Sequence, residues 1–258
     1  MNDPVTLEIC ADSVESAIAA EHGGANRIEL CSNLLEGGVS PSAGLISTVR
    51  SRLAIDVYIM IRPRGGDFCY STAEYAAMQQ DVLTAKQLGA NGIVLGILNE
   101  DGDVDVARTC RLIEIARPLK TTFHRAFDMS REMGKSLEDV IQTGADRVLT
   151  SGGEQNVEDG LPAVANLVRA AGSRIAIMAG GGVRESNVHR IIQEAGVREI
   201  HASVRVQVPS PMRYRNEKIS MGMVKGREYQ RLTVLEEKVA GLLEASRDRI
   251  RGGASHKL

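Results

Sequence analysis

Two stretches near the N-terminus carry side chains in the same order, Leu7-Glu-Ile-Cys10 and Ile28-Glu-Leu-Cys31. Extended backbone points alternate side chains to opposite faces, so Glu8 shares a face with Cys10 and Glu29 with Cys31. Leu7, Ile9, Ile28 and Leu30 want an apolar layer, which turns these carboxylates and thiols the other way. The same alternation leaves Tyr58, Met60 and Arg62 facing inward from Val57–Arg62, His124 from Thr121–His124, and His201 with Ser203 from a strand after residue 198. Paired thiolates at neighbouring strand ends suit a soft ion such as Cu(I), with His124 or Met60 as a further ligand. Glu8, Glu29 and His124 are a weaker hard-cation set. Free cysteine also packs as a small hydrophobe, and no C-x-x-C or H-x-x-x-H spacing marks a metal site.

A catalytic reading uses Glu8, Glu29, Arg62 and His124. Arg62 would grip a carboxylate or phosphate, His124 would serve as acid or base, and the glutamates would orient groups or exchange protons. Arg125 and Asp128 follow the same strand. Buried charge without a partner costs several kcal/mol, so a plain ion pair of Glu8 or Glu29 with Arg62 is the competing structural explanation.

Ile175 to Val183 reads as a buried strand running into Gly180, Gly181 and Gly182, followed by a helical pattern at Val188, Ile191 and Ile192. Strand, glycine turn and helix together leave backbone N–H groups free for an anion. With Ser203 and Arg64 these glycines form the candidate anion-binding set. A tight turn is the simpler use of the same glycines.

The elements that must position these residues come from an internal repeat. Gly24-Ala-Asn-Arg-Ile-Glu-Leu, Gly89-Ala-Asn-Gly-Ile-Val-Leu, Gly144-Ala-Asp-Arg-Val-Leu-Thr and Gly196-Val-Arg-Glu-Ile-His-Ala share one pattern. Each glycine suits the left-handed position that ends a helix, and each apolar run after it reads as a strand. Intervening strands are expected at Val5–Cys10, Val57–Arg62, Thr121–His124 and Arg174–Ala179. Helical patterns fill the gaps, with capping-box-like starts at Asp12-Ser-Val-Glu15 and Ser71-Thr-Ala-Glu74. The last helix is read from Leu232, Leu235, Val239, Leu242 and Leu243. Eight alternating units predict an α/β fold, a single-domain (β/α)8 TIM barrel over residues 1–250. Long segments follow strands two, three and eight. The longest, 204–227, reads as a loop acting as a lid or an oligomer contact, and 251–258 as a flexible tail.

Acidic and basic residues nearly balance, with a formal net charge of −2. That gives no basic face for nucleic acid. No apolar run reaches the length of a membrane span, and the N-terminus has no secretory pattern. Four widely spaced cysteines suit reduced thiols in a cytoplasm.

Leu7-Glu-Ile-Cys10, Arg27-Ile-Glu-Leu-Cys31, Glu36-Gly-Gly-Val-Ser-Pro-Ser42, Ile61-Arg-Pro-Arg-Gly-Gly-Asp-Phe-Cys-Tyr-Ser71, Thr122-Phe-His-Arg-Ala-Phe-Asp128, Arg147-Val-Leu-Thr-Ser-Gly152 and Ser210-Pro-Met-Arg-Tyr-Arg-Asn216 together resemble the CutC family. The resemblance implies a TIM barrel, a cytoplasmic location, a homodimer, a role in copper homeostasis, and Cu(I) ligands among the thiols at the first two strand ends, here Cys10 and Cys31. The residues themselves keep a second expectation open. It is a barrel enzyme of lyase, isomerase or hydrolase type, acting on a small phosphorylated or carboxylated substrate through the Arg/Glu/His pocket at the C-terminal mouth.

Overall fold

A computed structural model of the chain describes residues 5–221 and 226–247; the tail expected at 251–258 lies outside them. Eight parallel strands close in sequence order into a barrel. They are β1 (Thr6–Ala11), β2 (Arg27–Leu30), β3 (Asp56–Met60), β4 (Gly92–Leu95), β5 (Lys120–Phe123), β6 (Arg147–Thr150), β7 (Ala176–Gly180) and β8 (Glu199–Ala202). Between them run α1 (Val14–His22), α2 (Ala43–Arg50), α3 (Thr72–Gln87), α4 (Val106–Ala116), α5 (Met133–Thr143), α6 (Leu161–Ala171) and α7 (Val188–Ala195). The fold is the TIM barrel that eight alternating units predict.

The outward strand residues Ile9, Ile28, Ile59, Ile93 and Ile200 are fully or almost fully buried in one core with Ala17, Val49, Val82 and Ile191 from the helices. Burial of such side chains is worth roughly 1.5–3 kcal/mol each, which makes this layer the main stabiliser of the barrel.

The repeat has a mechanical basis. Gly24, Gly89, Gly144 and Gly196 all have positive φ, +90°, +81°, +78° and +70°, a conformation that favours glycine. Two residues later the side chain ties two strands together. Asn26 accepts from the Leu7 amide, Asn91 from the Val57 amide and Asp146 from the Thr121 amide, at 2.8, 3.0 and 2.9 Å. The strands β1, β3 and β5 are thus each pinned near the start by a residue just before the next strand.

Three expectations change. The α1 cap is Ser13, whose hydroxyl accepts from the Ser16 amide, rather than Asp12. The Ser71 capping box of α3 forms as the spacing predicts. Segment 204–227 is not only loop: β9 (Arg205–Pro209) lies within it and pairs antiparallel with β10 (Gln230–Val234). Leu232 therefore belongs to a strand, opposite Gln207, and the last helix, α8 (Glu236–Arg247), starts four residues later. Short alternating runs, Val-Gln-Val and Leu-Thr-Val, make this pair, while a helical stripe counted through Leu232 merges two elements. The pair docks on α1, where the Val234 amide donates to the Ser16 hydroxyl.

Candidate functional site

Strand tilt stacks inward side chains in layers of four, drawn from alternate strands. The strand registers set Arg27, Gly92, Arg147 and Glu199 at the bottom, then Glu8, Tyr58, Thr122 and Met178. Glu29, Val94, Leu149 and His201 follow, with Cys10, Met60, His124 and Gly180 above them.

The lower layers are held by charge. Arg27 donates to Glu8 and to Glu199, and Arg147 binds Glu199 through two nitrogens at 2.6 and 3.1 Å. Both guanidinium groups stack on Tyr58, 4.8 and 5.5 Å from its ring centre. Gly92 makes room for that ring, since a Cβ there would sit 2.6 Å from it. Burial would raise the Glu8 pKa, but Arg27 and His201 hold it at about 2. The expected pair with Arg62 is therefore not formed by Glu8, which sits below the mouth and does not line it.

Arg62 reaches instead into the loops above β3. Its Nη1 donates to the Glu36 and Gly38 carbonyls at 2.8 and 3.0 Å, and Nη2 to the Gly66 carbonyl at 2.7 Å. The group stacks over Phe68, 4.8 Å from its centre. No carboxylate pairs with it among the described residues, and its Nε is buried without a partner. Arg64, beyond Pro63, turns out of the alternation and pairs with Glu74 and Asp67 at 2.6 and 3.1 Å. It does not line the mouth.

Above the ion pairs lies a cluster of sulfur, carboxyl and imidazole. His201 Nδ1 is 2.7 Å from Glu8 Oε1 and its Nε2 is 3.8 Å from Glu29 Oε2. That same Glu29 oxygen lies 3.2 Å from Cys10 Sγ and 3.4 Å from Cys31 Sγ, and the sulfurs are 3.8 Å apart. The register pairs Cys10 with Glu29 rather than with Cys31, so the two thiols do not stand at matching positions. They meet because Cys31, just past β2, leans across the tilted strands. Hydrogen bonding from Cys31, opposed by burial and helped by His201, lowers Cys10 to about 5. The Cys10 partner and burial push Cys31 well up. Burial, then the Cys10 charge, raises Glu29 well above the carboxylate range. His201 is raised by Glu29, Cys10 and Glu8 although burial opposes them. The neighbours thus favour the thiolate form of Cys10, the neutral form of Glu29 and the charged form of His201.

A cavity of about 550 Å³ opens over this cluster. Cys10, Glu29, His124 and His201 line it with Arg62, Ser203, Gly181 and Gly182. Gly180 lies beneath, where a Cβ would meet Leu149 at 2.6 Å. Ser203 follows the end of β8 and still faces the cavity. His124 Nδ1 accepts from the Ala126 amide at 3.1 Å, and its Nε2 is buried without a partner. Burial, reinforced by Arg62, lowers its pKa to about 3. Near neutrality the imidazole is therefore neutral, and with Nδ1 accepting from Ala126 its Nε2 carries the proton. Sequence reasoning passed over Arg27, Arg147 and Glu199, although alternation down from Glu29, Leu149 and His201 points to all three.

A model of the CutC family matches residues 5–206. A family protein CutC of Chromobacterium violaceum is 48% identical over 239 residues, 93% of this chain and 97% of that one. The human copper homeostasis protein cutC homolog is 47% identical over 216 residues, 84% of this chain and 79% of its own length. Among solved structures, one described as the copper homeostasis protein CutC of Streptococcus agalactiae superposes with a TM-score of 0.73 at 34% identity, covering 76% of this chain and 97% of that one. Barrel order, paired thiol motifs and these matches together make the chain a member of the CutC family.

Proposed function

We propose that this protein acts in copper homeostasis by taking Cu(I) onto the sulfurs of Cys10 and Cys31. The observation that carries this reading is the pair of sulfurs 3.8 Å apart, with Cys10 lining an open cavity and Cys31 fully buried behind it. Metal–sulfur bonds of about 2.3 Å, the zinc-thiolate length, can bridge that gap through one ion. Soft sulfur donors select Cu(I) over hard cations, and the Met60 thioether packs in the same cluster. Binding of the ion releases the thiol proton, so the affinity should rise with pH. The relatives whose names refer to copper homeostasis support the reading. The test is competition against a Cu(I) chelator under reducing conditions. Wild type should hold the ion, and the Cys10→Ser/Cys31→Ser variant should lose about 100-fold or more in affinity, as loss of two ligands would imply. Equal affinity in the two proteins rejects the proposal.

A cytoplasmic setting fits four cysteines that are all free. Among the described residues no helix is long and apolar enough to cross a membrane. We assign the homodimer contact to the 204–227 segment, because Met212, Tyr214, Ile219 and Met221 are all exposed there.

A further inference from the structure

The cavity has a second set of groups that the thiols do not use. Arg62 is 5% exposed, yet its hydrogen bonds go to neutral carbonyls. A buried guanidinium without a carboxylate is costly and calls for an anion. Beside it, Phe68 contacts both Arg62 and His124, whose ring lies 5.1 Å away. The Ala126 amide fixes the His124 proton on Nε2. Two N–H donors, Arg62 Nε and His124 Nε2, are therefore buried without acceptors on residues that both line the cavity. Each such orphan is a desolvated donor that an acceptor in the cavity would satisfy.

Elsewhere on the rim, Gly181 and Gly182 have φ of +100° and +74°, and their amides meet no acceptor among the described residues. The Ser203 hydroxyl lines the same rim. Arg125, whose Nε is held by Asp128 at 2.7 Å, keeps Nη1 against Gly181, 3.3 Å from where a Cβ would stand. Successive amides with positive φ beside a cation form a concavity suited to phosphate.

We propose that the cavity binds a small carboxylic acid carrying a phosphate, with the carboxylate on Arg62 Nε and His124 Nε2 and the phosphate on the Gly181–Gly182 amides, Ser203 and Arg125. The volume, about 550 Å³, lies within the range of small-molecule pockets. This site is separate from the copper reading, because none of its donors is a sulfur.

Titration calorimetry on the full chain, in buffer free of phosphate, tests it with three probes. They are 3-phosphoglycerate, glycerol 3-phosphate and glycerate. 3-Phosphoglycerate should bind tightest. His124→Leu should weaken 3-phosphoglycerate about tenfold and leave glycerol 3-phosphate unchanged, as loss of one hydrogen bond to a charged group requires. Ser203→Ala should weaken both phosphates and spare glycerate. His124→Gln, which keeps an N–H donor, should retain more affinity than His124→Leu, and circular dichroism identifies any variant that fails to fold. The Cys10→Ser/Cys31→Ser protein should bind 3-phosphoglycerate as wild type does, which separates this site from the copper one. Wild type that binds none of the probes at millimolar concentration overturns the proposal, as does a variant series that weakens all three equally.

Discussion

The protonation pattern around the cavity is set by individual neighbours, and it has consequences for stability. His124 is neutral in the fold with its pKa lowered to about 3, while its unfolded value is near 6.5. The unfolded chain binds the extra proton first, so this contribution is complete above pH 6.5 and is lost as pH falls towards 3. Glu8, held at about 2, contributes above its ordinary value of 4.5 and loses that contribution as pH falls from 4.5 to 2. Between pH 6.5 and 4.5 the His124 effect acts without the Glu8 effect. Glu29 and Cys10 also titrate in this window, in wild type and His124→Leu alike, so the His124 effect is read as a difference: urea unfolding should show wild type losing stability with acid faster than His124→Leu, by up to about 1.4 kcal/mol per pH unit. His201 has the opposite sign: its raised pKa contributes below 6.5 and is lost as pH rises through the folded value. Deeper in the barrel, Glu8→Gln leaves Arg27 short of a buried partner. The expected loss is about 3–5 kcal/mol by urea unfolding. Glu8→Gln/Arg27→Met should recover part of it, since Arg147 still holds Glu199.

Among the elements, the pinning of β1, β3 and β5 by Asn26, Asn91 and Asp146 gives a direct comparison. Asn91→Ala strips the acceptor from the Val57 amide and should cost about 1–3 kcal/mol. Asn91→Asp should be nearly neutral, because Asp146 plays the same part at β5 and Arg50 already donates to the Asn91 oxygen. Equal losses in the two variants would mean that the side-chain oxygen does not tie the strands. Gly92 limits β4 in another way. Gly92→Ala forces a Cβ against Tyr58 and should lower the thermal midpoint, with Tyr58→Leu in the same chain restoring much of it. The failed helical stripe at Leu232 is a lesson at this scale too. A periodic count does not register that two short strands find each other across a 20-residue interval, because that pairing is decided by α1 beneath them.

For the molecule as a whole, the connection between β9 and β10 carries a concentration of exposed apolar residues, Met212, Tyr214, Ile219 and Met221. If this connection is the dimer contact, Tyr214→Asp should shift sedimentation from dimer towards monomer and leave Cu(I) affinity unchanged. A wild-type chain that sediments as a monomer would reject the dimer contact. The barrel interior is unusual in being charged through its lower half, with Arg27, Arg147, Glu8 and Glu199 where apolar layers are common. Those fixed charges make a rigid floor, on which Glu29 and His201 adjust the sulfurs above.

The sequence by itself determined the strand–helix alternation, the barrel and the inward face of Glu8, Glu29, Cys10, Cys31, Arg62 and His124. Those follow from periods of two and from glycines that end helices, which are local properties of the chain. Only the tertiary structure decided which of these residues meet. Strand tilt and register brought Cys31 to Cys10, set Glu8 on Arg27 instead of Arg62, and turned Arg62 to loop carbonyls that no local pattern identifies. Partner choice inside a barrel depends on the stagger of eight strands summed around a closed sheet.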